Sequence, residues 1–189
     1  MVWAVAEPGT YRTSDHAPVS ISSATTAWAE QARARLVETA RVYHAVITYK
    51  ELAEEVQERS GIRTRMLMMN WIGGVLGKVA DECQRRGEPI LTSLCVHQEG
   101  TVGDGYAIAV RSVYGITPDD LDEHAARERL ACYRYFGAPM PADGGRSALT
   151  PQVRARREAA AAQRPERRGG ICPTCFTELP VSGVCSFCG

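Results

Sequence analysis

The sequence predicts an α+β chain that is mostly helical. We expect a winged helix-turn-helix domain with a β-hairpin as its wing, then a flexible linker, then a small cysteine module at the C-terminus. Three observations predict this. Amphipathic stripes of helical period follow one another between residues 25 and 87. A segment of alternating polarity begins at Pro89 and runs into a turn. Four of the seven cysteines lie at or beyond residue 172. The boundaries read as a disordered N-terminus over 1–24, the helical domain over 25–136, a linker over 137–170 and the cysteine module over 171–189.

Composition excludes several classes. The 189 residues are 44% hydrophobic and 23% charged, the mix of a soluble globular protein. Basic and acidic residues number 22 each, which excludes a uniformly basic nucleic-acid coat and a uniformly acidic tail. No apolar run approaches the roughly 20 residues of a membrane helix. Met1 to Thr13 lack the basic start of a signal peptide, so a cytoplasmic location without membrane contact is expected. Charge is nevertheless uneven, with a net of −3 over residues 1–147 and +4 over 148–170.

Residues 1–24 are rich in Ser, Thr, Pro and Gly and show no period, so they read as mobile. From Thr25, Trp28, Ala32, Leu36, Ala40, Tyr43 and Ile47 recur at three- and four-residue steps, predicting a first helix of about five turns. Thr48-Tyr49-Lys50-Glu51 is a capping box that opens a second helix. Ser60-Gly61 ends it. A third helix is expected from near Thr64, with Leu67, Trp71, Ile72, Val75, Leu76, Val79 and Cys83 on its buried side. Arg85 and Arg86 suit its negative end, and Gly87 its left-handed cap. Met66, Met68 and Met69 read as core filler, with an adaptable partner surface as the alternative.

Ile90 to His97 alternate as a strand, and Thr101-Val102 are placed to return, making residues 89–102 the wing. Tyr106 to Tyr114 leans to helix. Thr117-Pro118-Asp119-Asp120 starts a further helix to about Phe136, with Thr as cap and Pro in the first turn. Gly137 onward has loop composition. The Arg/Ala/Gln-rich 148–170 reads as linker, transiently helical over Pro151 to Gln163.

Cys172 and Cys175 are separated by two residues, as are Cys185 and Cys188. Each Cys-x-x-Cys sets two thiolates about one ion, and two such knuckles complete a tetrahedral four-sulfur shell. The alternatives are two disulfides or a redox pair. With four thiolates and no open coordination position, one structural Zn2+ is expected. Its binding energy would be the folding energy of the knuckles. Cys-Pro-Thr-Cys…Cys-Ser-Phe-Cys-Gly resembles the short zinc-ribbon family. The resemblance implies that Leu179-Pro180 and Gly183 join the knuckles and that Gly189 follows the last ligand.

Residues 46–106 resemble the C-terminal domain of the O6-alkylguanine-DNA alkyltransferases and their non-enzymatic alkyltransferase-like relatives. Val46-Ile47-Thr48-Tyr49-Lys50-Glu51-Leu52-Ala53 is similar to the segment opening that family's helix-turn-helix. Trp71-Ile72-Gly73-Gly74-Val75-Leu76 is similar to its recognition helix. Pro89-Ile90-Leu91 and Gly100-Thr101-Val102-Gly103-Asp104-Gly105-Tyr106 are similar to the strand and glycine-rich turn around its active site. The resemblance implies that Tyr49 presses on a phosphate. Asn70 stands where the family carries an Arg that fills the gap left by a flipped base. The family's Pro-Cys-His-Arg nucleophile motif is absent: Thr92-Ser93-Leu94-Cys95-Val96-His97 stands there, and about seven extra residues separate Tyr49 from Asn70.

The leading expectation is non-enzymatic binding of double-stranded DNA. The candidate contacts are Tyr49, Arg63, Thr64, Arg65, Asn70 and Lys78, since Asn pairs with adenine and Arg with guanine or phosphate. The Arg-rich linker would supply charge. The alternative is an adaptor whose wing domain and ribbon each bind a protein. A minor alternative is an alkyltransferase-type enzyme using Cys95, with His97 two residues away on the same strand face.

Overall fold

The computed structural model describes residues 9–163, 170–177, 179 and 184–188. The chain divides into two compact units, residues 1–153 and 154–189. Among the described residues, six α-helices and four short strands make an α+β fold dominated by helix. No described helix is long and apolar enough to cross a membrane.

In the first unit, β1 (Thr10–Arg12) precedes α1 (Ile21–Ala40). Residues 9–24, read as mobile from their composition, are therefore structured. Strand β1 pairs antiparallel with β3 (Ile62–Thr64), and Ser20 caps α1 by accepting the Ser23 N–H. Residues 1–8 lie outside the described residues. Helix α1 ends at Ala40 rather than at Ile47, and a turn over residues 41–44, with His44 at a left-handed φ of 66°, leads to β2 (Ile47–Thr48). Tyr43 and Ile47 continue the helical spacing only by coincidence.

The capping box forms as expected. Thr48 accepts the Glu51 N–H at 3.2 Å, and Glu51 accepts the Thr48 N–H at 2.8 Å, opening α2 (Tyr49–Ser60). Gly61 closes it at φ 66°. Beyond it the expected helix from Thr64 does not start. Ile62–Thr64 is β3, and a single 3-10 turn over Met68–Asn70 leads into α3 (Ile72–Arg86), which Gly87 ends in the left-handed conformation. Helices α1, α2 and α3 share one core of Trp28, Leu36, Leu52, Val56, Val75 and Leu76, all nearly or fully buried. Met66, Leu67, Met68 and Met69 are exposed, which corrects their assignment to the core.

The expected hairpin wing is also corrected. Leu91–Leu94 is a 3-10 turn, and β4 (Cys95–Val96) pairs parallel with β2 (Ile47–Thr48), placing Ile47 beside Cys95 and Thr48 beside Val96. A half-exposed hairpin needs one wet face. Leu91, Thr92, Ser93 and Leu94 are all buried, so the alternation in their sequence marks no such face. A tight turn follows, with His97 N–H donating to Thr101 O. Helix α4 (Asp104–Tyr114) is formed as expected. Helix α5 (Leu121–Tyr135) starts three residues beyond Pro118 because Asp120, not Thr117, caps it, accepting the Glu123 N–H at 3.0 Å.

Residues 137–150, expected as linker, pack against this unit. Arg134 donates to Gly144 O, Arg146 N–H to the Tyr43 hydroxyl, and buried Arg129 to Ser93 O and Ala148 O. Thr150 donates to Gly100 O at 2.9 Å. A Cβ on Gly100, which sits at φ 82°, would lie 2.3 Å from Thr150 Oγ1, so this crossing requires glycine. Helix α6 (Pro151–Ala162) straddles the division between the units, with Val153 buried in the first. Arg164, Arg167 and Arg168 lie outside the described residues.

Candidate metal centre and nucleic-acid face

The second unit gathers its four cysteines at one point. The Sγ atoms of Cys172, Cys175, Cys185 and Cys188 all lie within 4.8 Å of one another. Cys172 lies 3.3 Å from Cys188, and Cys175 lies 3.4 Å from Cys185 and 3.6 Å from Cys188. A tetrahedron of thiolates about 2.3 Å from one ion has edges near 3.8 Å. The four sulfurs are therefore spaced to hold a single metal ion.

The first knuckle is a short backbone turn that ties 172 to 177. Phe176 N–H donates to Cys172 O and Cys172 N–H to Thr177 O, both at 2.9 Å. Phe176 takes φ 57° to let the chain double back. The second knuckle aims backbone at sulfur. Phe187 N–H donates to Cys185 Sγ, and together with the Cys188 N–H it pulls the Cys185 thiol down to about 6. The hydroxyl and N–H of Thr177 likewise lower Cys175. The crowding of Cys172, Cys185 and Cys175 pushes the Cys188 thiol the other way, up to about 11. Pro180, Gly183 and Gly189, which the ribbon resemblance assigns to the joining turn and the end, lie outside the described residues.

Three cysteines of the first unit are inert. Cys83, Cys95 and Cys132 are fully buried, and burial pushes each thiol up. Cys95 and His97 do not form a couple. Cys95 faces the core, while His97 is exposed and stacks on Tyr49, with ring centroids 4.7 Å apart.

The candidate nucleic-acid contacts fall in three places. Tyr49 opens α2, about 18 Å of helix from the residues that follow Gly61. Burial pushes its phenol up to about 12, with the nearby Gly103 backbone opposing the rise. A Cβ on Gly103 would lie 2.7 Å from the phenol oxygen and 2.9 Å from His97 Nε2, so a larger residue would displace the ends of these two side chains. The phenol is thus committed to the chain.

Arg63, Thr64 and Arg65 sit on or beside β3, not on a recognition helix. Arg63 pairs in register with Tyr11, and Arg65 lies 5.8 Å over the Tyr11 ring. Thr64 donates to Gly9 O and accepts the Met66 N–H. Asn70 is exposed at the entry to α3. Lys78 stands apart, in a groove between α1 and α3 that it shares with Glu30, Asp81 and Glu82 and with Arg33, Arg85 and Arg86. Arg63, Arg65 and Asn70 precede α3 along the chain, Tyr49 opens α2, and Lys78 lies on α3 itself.

The first turn of α3 carries neither an acidic residue nor a side-chain cap. Gly73 and Gly77 are exposed on that helix, and a Cβ at either would meet nothing within 4 Å. Sequence reasoning missed the exposure of Met66 to Met69. The signal was available: four consecutive apolar residues cannot share one helical face. The chain matches no protein-family model, no curated protein and no solved structure.

Proposed function

We propose that the first unit binds double-stranded DNA without catalysis, through the approach to α3, and that the second unit is a zinc module whose Zn2+ is structural. One observation carries the first reading: Arg63, Arg65 and Asn70 follow one another onto a helix whose first two turns expose Gly73, Gly74 and Gly77, with Lys78 and Asp81 exposed beyond them. Arginine serves phosphate and guanine, asparagine serves adenine, and a surface without Cβ atoms admits a sugar-phosphate backbone closely. The uncapped, acid-free start of α3 adds the positive end of a helix.

The alkyltransferase-like resemblance supports a non-enzymatic version of that reading. Cys95 is fully buried and its thiol is pushed up, so it supplies no nucleophile. Helix α2 reaches the same core as α3, as the two helices of a helix-turn-helix must. The lack of a hairpin wing leaves the face smaller than in a winged helix, so affinity rests on few phosphates.

The donor set argues for zinc. Four thiolates in a closed tetrahedral arrangement suit Zn2+ and leave no position for a substrate. The residues that would hold it are Cys172, Cys175, Cys185 and Cys188.

The test is fluorescence anisotropy of a labelled duplex at several salt concentrations. The log–log slope of affinity against salt is expected to be about −0.9 per phosphate contacted. Arg63→Ala and Arg65→Ala are each expected to reduce that slope by about 1. No binding at low salt by the full chain would overturn the reading, and a salt-insensitive protein contact would then replace it.

A further inference from the structure

Met66, Leu67, Met68 and Met69 form an unbroken run of exposed apolar side chains. Leu67 is 68% exposed and Met69 77%. Such a run in a folded chain costs solubility and calls for a role. It is not loose. On one side, Arg65 N–H donates to Gly9 O and Met66 N–H to the Thr64 hydroxyl. Thr64 N–H in turn donates to Gln57 Oε1. On the other side, Asn70 N–H and Trp71 N–H donate back to Leu67 O and Met68 O, and Trp71 is buried against Trp28. The fold anchors both ends of the run and holds its middle in water.

Its flanks are polar and cationic. Arg63 and Arg65 precede it, Asn70 follows it, and exposed Gly73 and Gly77 continue the surface. A protein-docking face of ordinary size needs about 800 Å² on each partner with an apolar centre. Here the exposed apolar residues are a single four-residue segment, with Arg63 and Arg65 before it in the chain and Asn70 after it. That pattern fits a duplex. Apolar side chains such as Leu and Met wedge between stacked bases, while cations beside them hold the two phosphate strands.

We infer that Leu67 and Met69 form a wedge that opens a base step, so that the protein selects DNA by deformability. This rests on the DNA-binding reading. The substrate class is duplex DNA carrying a flexible pyrimidine–purine step, above all TpA. Opening a step costs stacking energy, and pyrimidine–purine steps unstack with the least resistance. A stiff A-tract resists. Discrimination then arises at a position where no base edge is read.

The experiment uses the full metal-loaded chain and two duplexes of equal length, one centred on TpA and one on an A-tract. The TpA duplex carries 2-aminopurine at the step. Anisotropy reads affinity, and 2-aminopurine emission reads unstacking. The wild-type chain is expected to favour the TpA duplex by about tenfold, which is the factor that 1.4 kcal/mol supplies, and to raise the emission severalfold. Leu67→Ser with Met69→Ser, both at exposed positions, is expected to abolish preference and emission rise while leaving the salt slope unchanged. Circular dichroism of that variant checks that it folds. Binding with a normal salt slope but no preference or emission rise in the wild-type chain would overturn the wedge and leave DNA binding standing. Preference and emission unchanged in the variant would also overturn it. No binding to either duplex at low salt would overturn both, and the run would then be a protein-docking face.

Discussion

Trp28 on α1 and Trp71 at the entry to α3 meet with ring centroids 4.5 Å apart at 41°. Both are buried. Trp28 also donates its indole N–H to Ile62 O at 3.0 Å, tying α1 to β3. The pair thus anchors both sides of the exposed 65–70 segment from below.

The two indoles are unequal, and this gives a first prediction. Trp28 Nε1 has a partner, whereas Trp71 Nε1 has none among the described residues. Trp28→Phe removes ring area and strands the Ile62 carbonyl, with an expected cost of about 2–3 kcal/mol. Trp71→Phe removes area alone and releases a polar group from burial without a bond, so its cost should be smaller, about 1 kcal/mol. Urea denaturation of both variants and of the double variant checks the order and the coupling. Equal losses would contradict the assigned hydrogen bond.

The capping box gives a second. Thr48→Ala removes the acceptor for the Glu51 N–H, and the expected loss is about 1 kcal/mol. Thr48 also pairs with Val96, so the loss should appear as faster hydrogen exchange at the start of α2 and along β2. Thr48→Ser, which restores the hydroxyl, should recover most of it.

Acidification gives a third. His124 is buried, with Nδ1 2.9 Å from the Tyr106 hydroxyl, and desolvation lowers its pKa below the ordinary 6.5, Glu128 opposing. The unfolded chain therefore takes up this proton near 6.5 and the folded chain only at lower pH. Stability present above pH 6.5 falls as pH drops from there toward the folded value. The carboxylates with lowered pKa, such as Glu38 and Glu51, lose their contribution only at more acidic pH. Urea midpoints of the wild-type chain should fall between pH 7 and 5.5, and those of His124→Asn should stay level across that interval.

Metal removal gives a fourth. A strong chelator is expected to release one equivalent of zinc, read by mass spectrometry of the metal, and to undo the turns around residues 172–177 and 185–188. Residues 9–153 carry their own buried core and should keep their thermal transition. Cys185→Ser should abolish stoichiometric binding. Collapse of the whole chain on chelation would contradict the separation into two units.

How far each feature could be read from the chain follows from the range of its cause. The Thr48–Glu51 box, the Gly61 and Gly87 caps, the end of α5 near Phe136 and the spacing of the four cysteines each depend on groups a few residues apart. Their chemistry is written locally. The stripes at Trp28 to Ala40 and Val75 to Cys83 were legible because one helical face recurs within a few turns. The Arg63, Arg65 and Asn70 positions were legible as candidates, but their placement on a strand and at a helix entry was not. Lys78 was legible as a cation three residues from Asp81 on one helix, and illegible as a neighbour of Glu30, which comes from α1.

The cysteine knuckles, both ends of α2, the Gly87 end of α3 and a chain dominated by helix are written locally, because backbone caps and closely spaced thiols are completed by near neighbours. The rest depends on distant contacts. Strand β1 forms because Thr64 lies 54 residues away to receive Thr10, and β4 turns parallel because Ile47 lies beside Cys95. Met66 to Met69 stay in water because β3 and Trp71 take up the chain on either side of them. A strand's hydrogen bonds and a side chain's burial are completed by distant partners, and no local pattern names which distant partner arrives.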